Sequence, residues 1–247
     1  VQRAASDKRL DELNARLQTF DAAVFGAEFG AVLGDAKKRA GALNDKRKAV
    51  SALSIPAPEA IGYYTTTIAA LLQTSGQLAT LSSDKEIARL ASTYGALLQA
   101  KERAGLERAL LSNVFGADRF APEMLVRFIT TSSAQDTWFG IFRGYATESQ
   151  RRFAEQKVVG AAVEDVARFK KDALARMSEA SLGMDAKRWF GAATARIDLL
   201  KEVEDRLASD LTAAMQELRD DSINISVFYS VSTVLSALLV CLVVAGA

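Results

Sequence analysis

The stretch LASTYGALLQAKERAGLERALLSNVF, residues 90–115, decides how the chain folds. Its periodic positions, spaced by four and three, are Leu90, Tyr94, Leu97, Lys101, Ala104, Arg108, Leu111 and Phe115. This spacing is typical of a helix that packs along one face. The stretch therefore predicts a long helix in a helical core. Two of its core-facing positions, Lys101 and Arg108, are nevertheless cations, and Gly105 lies beside them.

The composition of the whole chain favours helices as well. Its 247 residues, 49% of them hydrophobic, suffice for one large domain or two small ones. Only 3 prolines and 15 glycines interrupt it, which favours helices over short strands joined by turns. The net charge of +1 gives no support to a nucleic-acid partner, and we expect none.

Two residue types that are common in catalytic and metal sites, histidine and cysteine, are absent or scarce in the chain. It has no histidine, which excludes Ser-His-Asp triads and the usual zinc sites. Its single cysteine, Cys241, lies in an apolar segment and is an implausible nucleophile. Carboxylates mostly have basic neighbours four residues away, as Glu107 has Arg103, which predicts solvated helix surfaces. We expect no catalytic residue, metal or cofactor in this region, while an enzymatic module that follows it is left open.

The last segment of the chain is apolar and uncharged. No charged residue follows Asp221, and a bilayer crossing needs about 20 apolar residues in a helix. Residues 222–247 are therefore predicted to form a transmembrane helix, and a buried core helix is the alternative. Residues 1–221 would then lie outside the bilayer. The sequence ends within this run, so the output module is left open.

Local signals divide the remaining chain into helices. The segment SIPAPEA interrupts the helical pattern at Pro56 and Pro58. The predicted starts of later helices are Ser83 or Asp84 as a cap, Pro122 in a first turn, Thr147 with Gln150 as a capping box, and Asp185 as a cap. Several helices of this kind predict an all-α fold of antiparallel bundles.

Polar residues also lie on the apolar stripes of two other predicted helices. The stripe of the last helix comprises Trp189, Ala193, Arg196, Leu200, Val203 and Leu207. Ser132 and Gln135 lie on the stripe of the helix that starts near Pro122. An unpaired buried cation is costly, and neither Arg108 nor Arg196 has a carboxylate three or four positions away.

Two explanations of these cations stay open. Salt bridges between helices, or side chains that reach water, would make them structural. Alternatively, Arg108, Arg196 and Lys101 converge on a pocket whose guanidinium groups bind a small oxyanion through paired hydrogen bonds. Carboxylates that face Arg108 and Arg196 would favour the first explanation, and a polar cavity would favour the second.

Three segments resemble the nitrate- and nitrite-sensing (NIT) domain family. They are KERAGLERALLSNVFGADRF, APEMLVRFITTSSAQDTWFGIFR and DAKRWFGAATARIDLLKEVED, and the resemblance covers about residues 90–206. It implies an all-helical module of two bundles that share long helices, with nitrate or nitrite as the ligand. It also implies that Arg103 or Arg108, together with Arg196, contacts the ligand. The family occurs as an extracytoplasmic sensor of histidine kinases, chemotaxis receptors and cyclic-dinucleotide enzymes, and in a soluble antiterminator.

One motif departs from the family pattern. The family carries an early Glu-Arg-Gly motif, and the nearest match is Glu28-Phe29-Gly30, where Phe29 replaces the arginine. Arg47 is a candidate to compensate for this loss. With this family, we predict that residues 1–221 are the periplasmic sensor domain of a homodimeric transmembrane receptor at the bacterial inner membrane, a chemoreceptor or histidine kinase. The sensor domain is predicted to bind a small oxyanion between helices. The alternative is a helical structural or protein-interaction module with internally salt-bridged arginines and no small ligand.

Overall fold

The computed structural model describes residues 2–221, and every regular element in that range is helical. A short 3₁₀ turn, Ala22–Phe25, precedes α2. The α-helices are α1 (Gln2–Leu17), α2 (Ala27–Gly41), α3 (Leu43–Ser51), α4 (Ala57–Leu81), α5 (Lys85–Gly116), α6 (Pro122–Tyr145), α7 (Glu148–Lys157), α8 (Ala161–Ala175) and α9 (Ala186–Asp221). The predicted all-α class is thereby confirmed.

Helix starts follow local chemistry. The Asp84 carboxylate accepts hydrogen bonds from the backbone N–H groups of Glu86 and Ile87, both at 2.9 Å. Asp185 does the same for the first turn of α9. Thr147 and Gln150 form a reciprocal capping box at α7. Side-chain caps of this kind satisfy N–H groups that have no partner within the helix, and these predicted caps are confirmed.

The chain forms two compact units. Among the described residues, the first comprises residues 2–95 and 210–221, and the second comprises residues 96–209. Helices α5 and α9 contribute residues to both units. Within the first unit, α2 packs against α3 and α4. The side chain of Phe29 is only 1% exposed there and lies edge-on to the rings of Phe20 and Phe25. At this position the sequence departs from the family pattern, and the phenyl ring belongs to an aromatic core.

The second unit has an aromatic core made by four of its helices. Its buried residues are Leu111, Val114, Phe115, Phe128, Val166, Phe169, Ala173, Leu182, Trp189 and Ala193. The Phe115, Phe169 and Trp189 rings contact one another, and Trp189 is fully buried. Its indole N–H donates to the Arg108 carbonyl oxygen at 2.9 Å. The core thus fixes α9 against the turn of α5 that carries Arg108.

Between residues 2 and 221, no helix has an apolar stretch of the length that a bilayer crossing requires. The transmembrane helix predicted for residues 222–247 lies outside the described residues.

Candidate anion-binding site

Lys101 is the most deeply buried cation of the second unit. Its side chain is 1% exposed, and its ammonium group forms an ion pair with Glu204 of α9, which is fully buried. Burial lowers the pKa of Lys101, while the Glu204 carboxylate opposes that shift. This cation therefore has a counter-charge from a neighbouring helix.

Arg196 has a mixed set of partners. Its Nη2 donates to the Gln135 side-chain oxygen at 2.9 Å, and its Nη1 lies 3.8 Å from a Glu107 carboxylate oxygen. The guanidinium also lies 6.0 Å from the centroid of the Phe139 ring. Burial lowers the pKa of Arg196, and the charges of Glu107 and Asp136 oppose this shift. Among the described residues, acceptors therefore take up only part of its hydrogen-bond donors.

Glu107 is a buried residue, and the prediction that it pairs with Arg103 on the outer face is wrong. Its side chain is 1% exposed, and the Lys170 ammonium lies 2.7 Å from one of its oxygens. Arg103 instead donates to the Gln99 side chain one turn earlier. The prediction failed because spacing along one helix does not reveal cations supplied by α8 and α9.

Arg108 is buried without a carboxylate partner in the described part of the chain. Its Nη1 donates to the Thr194 hydroxyl at 2.8 Å, and the guanidinium lies 4.7 Å from the centroid of the Phe190 ring. Burial lowers the pKa of Arg108, and Asp198 opposes the shift. Thr194 and Arg196 are two positions apart on α9, so they face different sides of that helix. Arg108 and Arg196 accordingly contact different partners.

The remaining predicted site residues differ in environment. Gln135 is 1% exposed, and its side-chain NH₂ group has no acceptor among the described residues. Ser132 and Gly105 are half-buried, and a Cβ added at Gly105 would meet open space. Arg47 lies in the first unit, where it forms an ion pair with Asp7. The pair that best suits an anion is therefore Gln135 with Arg196.

Arg196 also lines a cavity of about 250 Å³ within the second unit. Arg143 of α6 and Arg151 of α7 line the same cavity, and neither arginine was among the predicted site residues. Both lie off the apolar stripes, so periodicity does not single them out. The short connection between Tyr145 and Glu148 is a sequence feature that indicates their proximity, because it brings the end of α6 close to the start of α7.

The second unit is thus a helical domain that buries guanidinium and amide donors beside a cavity, as expected of a sensor for a small anion. Comparison with known proteins agrees with this class: the family model for nitrate and nitrite sensing, NIT, matches residues 1–212. The chain belongs to the NIT family.

Two relatives give the family context. The nitrate regulatory protein of Klebsiella oxytoca is 34% identical over 174 residues, which make up 70% of this chain and 43% of that protein. The structure of the NasR transcription antiterminator superposes with a TM-score of 0.71 at 26% identity and covers 87% of this chain and 60% of that one. This chain therefore spans less than two thirds of either relative.

These relatives contradict the predicted receptor function with its location at the inner membrane, and also the exclusion of a nucleic-acid partner. They are named as a nitrate regulatory protein and a transcription antiterminator. The prediction of a transmembrane receptor at the inner membrane is therefore wrong, and so are the periplasmic sensor and the chemoreceptor or kinase output that belonged to it. The exclusion of nucleic acid is also wrong, because an antiterminator acts on transcription. The receptor prediction gave too much weight to the apolar residues 222–247. The exclusion of nucleic acid was inferred from a near-zero net charge, which does not by itself identify a protein's partners. The predicted homodimer stays a prediction.

Proposed function

We propose that the second unit binds nitrate or nitrite and that Arg196 is the anchor of the site. The observation that carries this proposal is the pairing of Arg196 with Gln135. A guanidinium group donates to the side-chain oxygen of a buried amide, and the NH₂ group of that amide has no acceptor among the described residues. Buried hydrogen-bond donors normally have an acceptor. An oxygen of a bound ligand can therefore serve as the acceptor for the Gln135 NH₂ group.

The chemistry of the pair suits a planar monoanion. A guanidinium group offers parallel N–H donors that match two oxygens of a flat oxyanion. The Gln135 NH₂ group can donate to a third oxygen. Although burial lowers the pKa of Arg196, an arginine remains protonated in proteins. The site therefore keeps its positive charge at physiological pH.

Glu107 would oppose an anion if its charge were uncompensated. Lys170 lies 2.7 Å from one Glu107 oxygen, however, and Arg196 lies 3.8 Å from the other. Two cations thus face the Glu107 carboxylate, so its negative charge is compensated within the protein and does not exclude a small anion at Arg196.

We further propose that occupancy of this site is read out as regulation, because both relatives are named for regulatory roles. The second candidate function is a helical interaction module without a small ligand. The ion pairs Lys101–Glu204 and Glu107–Lys170 favour it, since they give three buried charges partners within the protein, and so does the Glu107 carboxylate that faces Arg196.

Calorimetric titration of nitrate, nitrite, chloride and formate distinguishes the two functions. We expect nitrate or nitrite to bind the wild type, and Arg196→Ala to weaken that binding by about 10- to 100-fold, because it removes charge-assisted hydrogen bonds. Gln135→Glu keeps the shape of the side chain but places a negative charge at the site, and it should weaken binding at least as much.

Arg103→Ala is the matched control, because Arg103 contacts Gln99 on its own helix. It should leave the affinity for nitrate within about twofold. If no oxyanion binds the wild type, or if Arg103→Ala abolishes binding while Arg196→Ala does not, the proposed site is wrong and the interaction module is favoured.

A further inference from the structure

We propose that the cavity beside Arg196 binds an organic monocarboxylate with a compact apolar body, such as a small aromatic or branched aliphatic acid. This ligand is different from nitrate, and its binding does not require the nitrate site to be correct. The proposal rests on the size of the cavity, on its apolar walls and on one arginine at its rim.

The cavity is too large for nitrate alone. A water molecule occupies about 30 Å³ in the liquid, so an anion of four non-hydrogen atoms occupies roughly twice that volume. The cavity has a volume of about 250 Å³. Nitrate bound to Arg196 would leave most of this space unfilled, whereas an acid with about ten non-hydrogen atoms would occupy it.

The walls of the cavity are mainly apolar and come from every helix of the second unit. The apolar lining residues are Leu97, Phe139, Phe142, Ala154, Val158, Val163, Leu200 and Val203. Water is held poorly where polar partners are few, so displacing it by apolar groups is favourable. Lys157 of α7 and Glu202 of α9 form an ion pair at 2.8 Å, which joins two of the contributing helices.

The charged lining residues select a single carboxylate. Arg196 already contacts Gln135 and Glu107, and Arg151 donates to the Ala146 carbonyl oxygen and to the Glu148 carboxylate. The guanidinium group of Arg143 has no hydrogen bond or ion pair with any residue that the structure describes, although the Arg143 carbonyl oxygen accepts a hydrogen bond from Arg151, and the residue is exposed at the cavity. One guanidinium group is therefore uncommitted, and it can hold one carboxylate through two hydrogen bonds.

Glu155 also lines the cavity and is exposed, without a described partner. Its charge opposes a bound anion. A dicarboxylate would bring a second negative charge toward Glu155, with no second free guanidinium to receive it. The cavity consequently favours a monocarboxylate over a dicarboxylate.

Titration of the full chain with benzoate tests the proposal, and benzamide is the neutral control of the same shape. We expect benzoate to bind with a Kd on the order of 1 mM or tighter, and benzamide to bind at least about tenfold more weakly. Arg143→Ala should weaken benzoate binding about tenfold and leave the nitrate affinity within about twofold. Glu155→Gln should tighten benzoate binding by roughly two- to fivefold, because it removes a repulsive charge near solvent.

Val163→Trp fills the cavity and should abolish benzoate binding, provided that circular dichroism shows an unchanged helical fold. The proposal is overturned if benzoate and benzamide bind with equal affinity, or if no benzoate binding is detected at about 20 mM. It is also overturned if the Glu155→Gln variant binds benzoate more weakly than the wild type does. Nitrate is titrated into the same preparations. A failure of benzoate with intact nitrate binding refutes only the cavity ligand, and the reverse result refutes only the nitrate site.

Discussion

At the scale of single residues, Glu102 is a buried carboxylate without a described hydrogen bond or ion pair. Its side chain lies on α5 between Lys101 and Arg103 and is 7% exposed. Burial raises its pKa from 4.5 to about 7, although the charges of Arg103 and Lys101 oppose the shift. Between these two pH values the folded chain holds a proton that the unfolded chain has released. Stability therefore falls as the pH rises from 4.5 to about 7, and it stays reduced above that range.

Glu102→Gln should remove this dependence, because the amide is neutral at every pH. We expect the variant to be more stable than the wild type by about 1–3 kcal/mol near pH 8 and to match it near pH 4. Urea unfolding at both pH values measures the difference. Glu217→Gln, at an exposed position of α9, is the control and should show no such change. A constant difference between wild type and Glu102→Gln across this pH range would contradict the assignment.

Residue by residue, the sequence predicts which side chains are buried better than it predicts their partners. Periodicity placed Lys101, Arg108 and Arg196 on core-facing positions, and all three are largely buried. Their partners are Glu204, Thr194 and Gln135, which lie between 61 and 103 positions away along the chain. No local pattern encodes such contacts, because they depend on how helices pack. The error at Glu107 has the same origin.

At the scale of helices, α5 and α9 are linked by the buried Lys101–Glu204 ion pair. Removing one member of such a pair leaves a buried charge without compensation, whereas replacing both by apolar residues of similar size is often neutral or stabilising. We expect Lys101→Met to destabilise the fold by about 3–5 kcal/mol and the double variant Lys101→Met/Glu204→Leu to recover most of that loss.

Chemical denaturation of the single and double variants measures this coupling. Lys157→Met is a matched control, because the Lys157–Glu202 pair is about half exposed, and it should cost at most about 1 kcal/mol. If the double variant is no more stable than Lys101→Met alone, the pair does not act as the coupled link between α5 and α9.

Helix boundaries were predictable because their causes are local. Asp84, Thr147 and Asp185 cap helices through hydrogen bonds that span two or three residues. The short connection between α6 and α7 indicates that Arg143 lies near Arg151, but the cavity as a whole was not predictable, because its other walls come from α5, α8 and α9, which are distant along the chain. Sequence patterns therefore indicate where helices begin, and packing decides which exposed arginines share a cavity.

At the scale of the whole molecule, the chain is a member of a nitrate- and nitrite-sensing family, and its described residues, 2–221, form helices in two compact units. The family resemblance was evident from KERAGLERAL and the segments around Gln135 and Arg196. The output of the protein was not, because its prediction rested on the apolar residues after Asp221 and on where the family is most often found. The relatives, a regulatory protein and an antiterminator, correct that prediction.

In the proposed site, Arg196 and Gln135 receive the oxyanion inside the second unit. A crystal structure of the chain grown with nitrate tests this arrangement. We expect planar density whose oxygens lie about 2.7–3.2 Å from the Arg196 guanidinium and from the Gln135 NH₂ group. Nitrate bound instead at Arg47 of the first unit, with the Arg196–Gln135 pair unoccupied, would contradict it.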